Sequence, residues 1–421
     1  MKNVNYFSYA VLIVLLFSCS GGNKLTNKNL AYIYYNDPTI IHPSYTMFHD
    51  NDSISTLYFR LNSWEALYSR KPRDTVYSAE LSMHYRLFTL EDDKTIVDSA
   101  TLHLVDYRKG DANHILSGEM KVRAKSGRDY FLELTLNDKI RDQAVQAYFK
   151  VYKEDQLNRQ NFLVSRDGKV VFQNYFKKDE VVTIKCNRPI PNRRIYVRHY
   201  DRKFKLPPPP FSSEHVGTFE YEADSIFAIP LETDSTFQFK FTKTGFFHFQ
   251  TDTSSRTGLT LYQFEGGFPK VTQVDDMIDP IRYLTTRQEF SNFERKGRTK
   301  ETVDDFWYAA AGSVERGRAV VKTYYNRVQE ANLFFTSYVE GWKTDRGLIY
   351  TIYGPPNVIY KTLDAENWIY GEQNNLLSVN FTFYKIDNPF TDNDFFLGRS
   401  PVYKSSWYRA VDSWRQGRAV Y

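Results

Sequence analysis

Between about residue 29 and residue 153 the chain carries runs in which apolar side chains fall on every second position. Tyr77, Ala79, Leu81, Met83, Tyr85 and Leu87 are separated by Ser, Glu, Ser, His and Arg. A strand points successive side chains to opposite faces, so this spacing predicts a half-buried antiparallel strand. Leu132, Leu134 and Leu136 repeat the pattern, as do Val145, Ala147, Phe149 and Val151. Turn-forming clusters separate the runs, and several such strands at turn-bounded intervals predict a β-sandwich.

Residues 154–270 predict a second, β-sandwich-like module. Strand candidates are 169–172, 181–186 and 195–200. Phe237, Phe239 and Phe241 alternate, and Gly245 then turns the chain into an apolar run ending at Phe249. Val182, Ile184 and Cys186 share one strand face, which places Cys186 in a core as a small hydrophobe. The four prolines at 207–210 cannot sit in a central strand, because none donates to a ladder. They predict a stiff surface connection, with a polyproline docking segment as the alternative.

Beyond residue 271 the period becomes helical. Thr286 and Glu289 have the spacing of a capping box, opening a short helix through Phe290 and Phe293. Thr302 is read as the start of another, carrying Phe306, Trp307 and Ala310. Ser313 opens the longest, with Val321, Tyr325, Val328, Ala331, Phe335 and Tyr338 as an apolar stripe and Arg318, Lys322 and Arg327 off it. A final helix over 406–420 sets Trp407, Val411 and Trp414 on one side. It packs at home or docks on a partner, since aromatic and arginine side chains anchor interfaces. The fold class is therefore multidomain β plus α+β: two tandem antiparallel β-sandwich modules (29–153 and 154–270), then a helical α+β domain (271–421).

No window is as densely punctuated as residues 341–360. Gly341 reads as the left-handed stop of the long helix, and Trp342 is placed to fold back on it. Thr344 and Asp345 read as a new N-cap with an acid in the first turn. Arg346 is placed to pair with a nearby carboxylate, Asp345 included. The Ile and Tyr content of Leu348 to Tyr353 fits a strand, while Leu348 with Ile352 and Ile349 with Tyr353 pair at helical spacing. Gly354 followed by Pro355 is a helix stop, which favours a short helix from Asp345 to Tyr353. The stretch is either a structural corner or a binding surface.

The N-terminus adds a location. Lys2 is followed by an apolar run from Tyr9 to Phe17, far too short to span a bilayer. Leu16, Phe17, Ser18 and Cys19 resemble a lipobox, which predicts a signal peptide at 1–18, lipid on the Cys19 thiol and a polar tether at 19–28. No Asp follows Cys19, so the outer membrane is expected; no acidic run follows it either, which favours the periplasmic face over the cell surface. With Cys19 lipidated, Cys186 has no disulfide partner.

Composition narrows the functional classes. The chain has 55 basic and 50 acidic residues, and a net charge of +5 spread over 421 residues does not indicate nucleic-acid binding. HExxH, CxxC pairs, GxSxG, Walker A and GxGxxG are all missing. All eight histidines precede residue 271. His42 and His49 near Asp50 and Asp52 match no metal spacing, and no metal or cofactor beyond the Cys19 lipid is expected. Asp345, Asp364 and Glu366 are the carboxylates that a glycosidase pair would draw on.

Gly341-Trp342-Lys343-Thr344-Asp345, continuing as Arg346-Gly347 and Tyr353-Gly354-Pro355-Pro356, resembles the GWxTD-domain proteins, a bacterial envelope family that often carries lipoprotein signals. The likeness covers roughly the last third of the chain. A local likeness around Trp368-Ile369-Tyr370 and 379–383 is to the small SmpA/OmlA (BamE-type) lipoprotein domain, which implies an accessory role in outer-membrane assembly. The resulting expectation is an outer-membrane-anchored lipoprotein serving as a structural subunit of an envelope protein complex, for membrane protein assembly or secretion. A glycan-binding lipoprotein and an enzyme acting on polysaccharide or cell wall are the alternatives. The candidate interaction residues are Gly341, Trp342, Thr344, Asp345, Arg346, Gly347, Gly354, Pro355, Pro356, Trp368, Trp407 and Trp414.

Overall fold

The period-2 runs of the first module close two antiparallel sheets on one core. One has the order β1 (Ser44–His49), β2 (Ile54–Asn62), β5 (Ile115–Arg123). The other runs β4 (Ile96–Tyr107), β3 (Ser78–Thr89), β6 (Tyr130–Asp138), β7 (Gln143–Val151). Met83, Tyr85 and Leu87 of β3 lie opposite Leu136, Leu134 and Leu132 of β6. They meet Leu57, Phe59, Met120 and Val122 of the other sheet in one buried cluster. Each such leucine contributes about 1.5–3 kcal/mol by leaving water. Tyr77 lies just outside β3 and is exposed. This computed structural model describes residues 28–418 other than 36, 38, 73, 93, 94, 109, 111, 112, 189 and 215–218. The expected signal peptide, Cys19 and the tether before Lys28 lie outside the described residues.

The second module repeats the plan. Its sheets run β13 (Thr236–Lys240), β10 (Val181–Cys186), β8 (Phe162–Arg166), β9 (Lys169–Val170) and β12 (Ser225–Pro230), β11 (Arg194–Tyr200), β14 (Gly245–Gln250), β15 (Leu259–Gln263). Phe237, Phe239 and Phe241 fill the space between them with Val182, Ile184 and Cys186. Burial pushes the Cys186 thiol up to about 11, so it stays protonated and acts as a packing group. The prolines at 207–210 are a docked connection: the carbonyls of Pro208 and Pro210 accept from Arg399 and Ser400 of the C-terminal domain.

The C-terminal domain sets helices α1 (Val274–Ile278), α2 (Arg287–Arg295), α3 (Lys300–Ala311), α4 (Val314–Phe335), α5 (Asp345–Tyr353) and α6 (Lys404–Arg415) against a four-stranded antiparallel sheet. The sheet order is β16 (Val358–Lys361), β17 (Ala365–Tyr370), β18 (Val379–Lys385), β19 (Phe395–Leu397). Thr286 and Glu289 form their capping box, and Ser313 caps α4. Three boundaries differ from the pattern reading. Thr299, not Thr302, caps α3. The long helix ends at Phe335, before the 3-10 turn Gly341–Lys343. The last helix stops at Arg415. Arg327, placed off the apolar stripe by its spacing, is buried. No helix among the described residues is long and apolar enough to cross a membrane.

Residues 29–35 differ most from their expected place. They pack into the C-terminal core through Leu30, Ala31 and Tyr34, not into the first sandwich. The Leu30 amide donates to Ile359 O at 2.9 Å, and the Ile359 amide donates to Asn29 Oδ1. The phenol of Tyr32 meanwhile accepts from the Gln146 amide of β7 at 2.8 Å. This segment is a strap joining β16 to the edge strand of the first module.

Candidate functional site

The corner at 341–360 is built on backbone closeness. A Cβ on Gly341 would fall 1.9 Å from Ala331 O, and one on Gly347 would fall 1.9 Å from Gly341 O. Both positions therefore need glycine so that three backbone segments can touch. Close approach, not a left-handed helix stop, is the reason for Gly341. Thr344 caps α5: its hydroxyl accepts from the Gly347 amide at 3.0 Å and donates to Gly341 O at 2.7 Å. The Trp342 ring is buried edge-on against Tyr283 at 5.7 Å, and the Tyr283 hydroxyl donates to Trp342 O. Gly354 sits at φ +83°, where a Cβ would meet the Arg327 guanidinium at 2.8 Å. Arg327 and the indole of Trp414 both donate to Ile352 O, at 3.1 and 2.9 Å. Pro355 and Pro356 lead into β16, with Pro356 O accepting from Tyr35. Trp407 and Trp414 pack α6 onto this same core.

Asp345 and Arg346 do not pair with each other, because adjacent helical positions point in different directions. Asp345 accepts from the Leu397 amide at 2.8 Å and from both terminal nitrogens of Arg399. Burial raises its pKa, against the pull of Arg399. Arg346 reaches the sheet and donates to Glu366 Oε1 at 3.0 Å and to Asn393 O at 2.9 Å. It lies between the rings of Phe395 and Phe335, at 4.0 and 5.2 Å. Glu366 also accepts from Lys361 at 2.8 Å, from the Trp368 indole at 3.0 Å and from Tyr34 at 3.1 Å. Burial pushes the Glu366 carboxyl up, but Lys361 and Arg346 outweigh it and hold it near 2. One signal for this network was present in the sequence. Glu366 and Trp368 share the buried face of a strand, and a carboxylate on a core face requires a cationic partner.

The corner's charged side chains Asp345 and Arg346 are thus spent on the fold. The open surface is a cleft of about 1000 Å³ between β7, the strap and the loops at 361–366 and 385–395. Tyr45, Phe131, Tyr148 and Phe149 form its wall on the first module, and Phe334 and Phe395 its wall on the C-terminal domain. Phe131 and Tyr148 stack with centroids 5.7 Å apart and planes at 10°. A smaller cleft of about 390 Å³ adjoins it and shares Tyr45, Tyr148, Phe149, Lys150 and Tyr152. Charges of both signs line the larger space. Asp392 accepts from the Tyr152 hydroxyl at 2.5 Å and pairs with Arg159 at 3.4 Å. Lys361 opens from the buried network into the cleft. Two of its three N–H groups meet Glu366 and Tyr34, which leaves one for a ligand. Half-buried aromatic faces with a few placed polar groups are the chemistry of a binding surface.

The remaining candidates do not converge. His49 donates from Nε2 to Tyr152 O at 2.6 Å and accepts at Nδ1 from Ser55. His42 donates to Tyr35 O. Asp50 takes Thr56 and Lys121, and Asp52 takes Arg188. Among the described residues, no cluster of His, Cys, Asp and Glu is arranged to hold a metal ion.

Residues 245–416 match the family model of the GWxTD domain. The match begins inside the second sandwich, so β14 and β15 belong to both units. No curated protein matches the chain in sequence. Among solved structures, the chain is similar to a calcium-binding mutant of Bacteroides uniformis β-glucuronidase 2, at 12% identity and a TM-score of 0.18 over 33% of this chain. It is also similar to Parabacteroides merdae β-glucuronidase, at 16% identity and a TM-score of 0.15 over 33% of this chain. The matched part spans 16% of the length of each of those enzymes.

Proposed function

Because residues 245–416 of this chain are a GWxTD domain, we propose that the protein is a lipid-anchored outer-membrane component that works by binding. It serves as a structural subunit of an envelope machine for outer-membrane protein assembly or secretion, on the periplasmic face. The interdomain cleft is where the partner docks. The observation that carries this reading is the contrast between corner and cleft. Trp342 is buried against Tyr283, and Asp345 and Arg346 are buried and paired within the fold, whereas the cleft keeps aromatic faces and charged groups at its surface. The lipobox at Cys19 supports the location.

The test is a photo-crosslinking amino acid placed at Tyr148 in cells, with Ile226 on the far module as the control position. Envelope proteins recovered from the Tyr148 position alone support the proposal. Recovery of no large envelope partner overturns it. Mass spectrometry of the mature N-terminal peptide decides the lipid on Cys19 separately. A second reading, glycan binding, is favoured by the stacked Phe131 and Tyr148 beside Tyr45 in the cleft, since flat rings cover sugar faces. Affinity electrophoresis in envelope polysaccharide, with Tyr148→Ala as the comparison, separates the two readings.

A further inference from the structure

The loop joining β17 to β18 reads Gly-Glu-Gln-Asn-Asn-Leu-Leu-Ser from 371 to 378. Its tip presents Leu376 and Leu377 at 103% and 88% exposure, the two most exposed large apolar side chains of the described molecule. The loop is well braced. Ser378 donates from Oγ to Glu372 O at 2.6 Å, and Asn375 Oδ1 accepts from the Leu377 amide at 2.9 Å. The Asn375 amide donates to Glu372 O, and Tyr360 donates to Gln373. A braced hairpin that holds two adjacent leucines in water gains nothing from them in the isolated chain. Exposed apolar tips of this kind mark a surface that is covered in use.

Where the anchor enters identifies the cover. Asn357 holds both the strap and this loop: its carbonyl accepts from Asn29 Nδ2 at 2.9 Å, and its side-chain oxygen accepts from the Gly371 amide at 2.8 Å. The described chain therefore begins beside the base of the leucine hairpin. From Cys19 to Lys28 is nine residue steps, so the lipid lies within about 30 Å of this point even with the tether fully extended. We propose that Leu376 and Leu377 insert into the bilayer interface beside the Cys19 anchor and seat the GWxTD domain on the membrane. This rests on the lipid-anchor reading above. The loop has no Lys or Arg and one Glu, so the contact is apolar and does not depend on anionic headgroups, unlike a polybasic contact. The hairpin acts as a second, weak anchor that fixes orientation, because a single point of attachment leaves rotation of the domain free.

The test uses the lipidated full chain in mixed phosphatidylethanolamine and phosphatidylglycerol vesicles. An environment-sensitive fluorophore is attached at Leu377→Cys, with Ile226→Cys as the control. The expected result is blue-shifted emission at position 377, quenched by brominated lipid and unchanged by added salt, with water-like emission at 226. Water-like emission at 377 in protein that floats with the vesicles overturns the proposal. So does a shift that needs a co-purifying protein. A second measurement is independent of the anchor. The mature polypeptide starting at Ser20 keeps every described residue, and its weak flotation with vesicles falls at least about tenfold in Leu376→Ser/Leu377→Ser. Unchanged flotation overturns the proposal. If Cys19 proves to carry no acyl chain, the anchor reading fails, and this flotation comparison still decides the hairpin.

Discussion

Arg346 donates to Glu366 Oε1 at 3.0 Å, and the two side chains are only 2% and 3% exposed. The arginine stands in the first turn of α5 and the glutamate on β17, so this bond joins the helical half of the domain to its sheet. Lys361 and Tyr34 complete the group, which brings the N-terminal strap into the same network. The arginine after the Gly-Trp-Lys-Thr-Asp run is therefore a junction, and its value lies in specifying how helix, sheet and strap meet.

Removing one member of such a group strands the other. Arg346→Met is expected to destabilise the fold by about 3–5 kcal/mol, because a buried carboxylate loses one of its two cationic partners. Adding Glu366→Gln to that variant is expected to restore part of the loss, since the stranded charge is gone. Urea unfolding of the single and double variants checks this. A single variant within about 1 kcal/mol of the parent contradicts it.

Acid is expected to weaken the fold in two stages. His49 and His248 are driven down from 6.5 to about 4 and about 3, chiefly by burial. Between pH 6.5 and those values the unfolded chain binds a proton that the folded chain refuses, so stability falls as pH falls. Glu366 is held down from 4.5 to about 2. Its contribution is complete above pH 4.5 and is lost as pH drops toward 2. Denaturant midpoints from pH 7 to pH 5 follow the first stage, and His49→Gln is expected to lose less over that interval than the parent.

Local periodicity made much of this architecture legible. Leu81, Met83 and Leu87 declared a strand because their partners in the pattern were polar. Thr286, Ser313 and Thr344 declared helix starts because a side-chain oxygen must meet the free amides there. The corner was legible as a corner. Its pairings were not, since Arg346 finds Glu366 across a sheet and Tyr34 reaches Glu366 across 332 positions. The cleft was invisible for the same reason: β7, the strap and the loop at 385–395 are remote in sequence and carry no common period. Arg327 misled because its spacing is that of a solvated face, while its guanidinium stacks over Trp414 at 4.9 Å and donates to Ile352 O.

Gly341 and Gly347 make a sharper test of the corner than its charged groups do. An added methyl at either position meets backbone, which cannot swing aside as a flexible side chain can. Gly341→Ala and Gly347→Ala are each expected to cost about 1–3 kcal/mol and to lower the thermal midpoint by several degrees. Gly312→Ala is the contrasting control. It has open space around its Cβ position and only a left-handed backbone to oppose the change, so about 1 kcal/mol is expected there. Equal effects at all three positions would show that close packing is not what Gly341 and Gly347 provide.

Tyr148 separates binding from folding. Its ring stacks on Phe131 at the cleft wall, and its hydroxyl donates to Gln146 within its own strand. Tyr148→Ala therefore removes an aromatic face from the cleft and leaves the sandwich core of Leu132, Leu134 and Leu136 intact. An interface anchor of this kind is worth about 2 kcal/mol or more, so capture of the crosslinked partner is expected to fall about thirtyfold. The unfolding free energy should move by no more than about 1 kcal/mol. Trp342→Ala should do the reverse: the large ring is buried against Tyr283, and its loss is expected to cost about 3–5 kcal/mol. Any fall in capture there should follow the folded fraction. Measuring both quantities on both variants checks the assignment. If Tyr148→Ala binds like the parent while Trp342→Ala loses binding without losing stability, the working surface is the corner and the cleft is only a gap between domains.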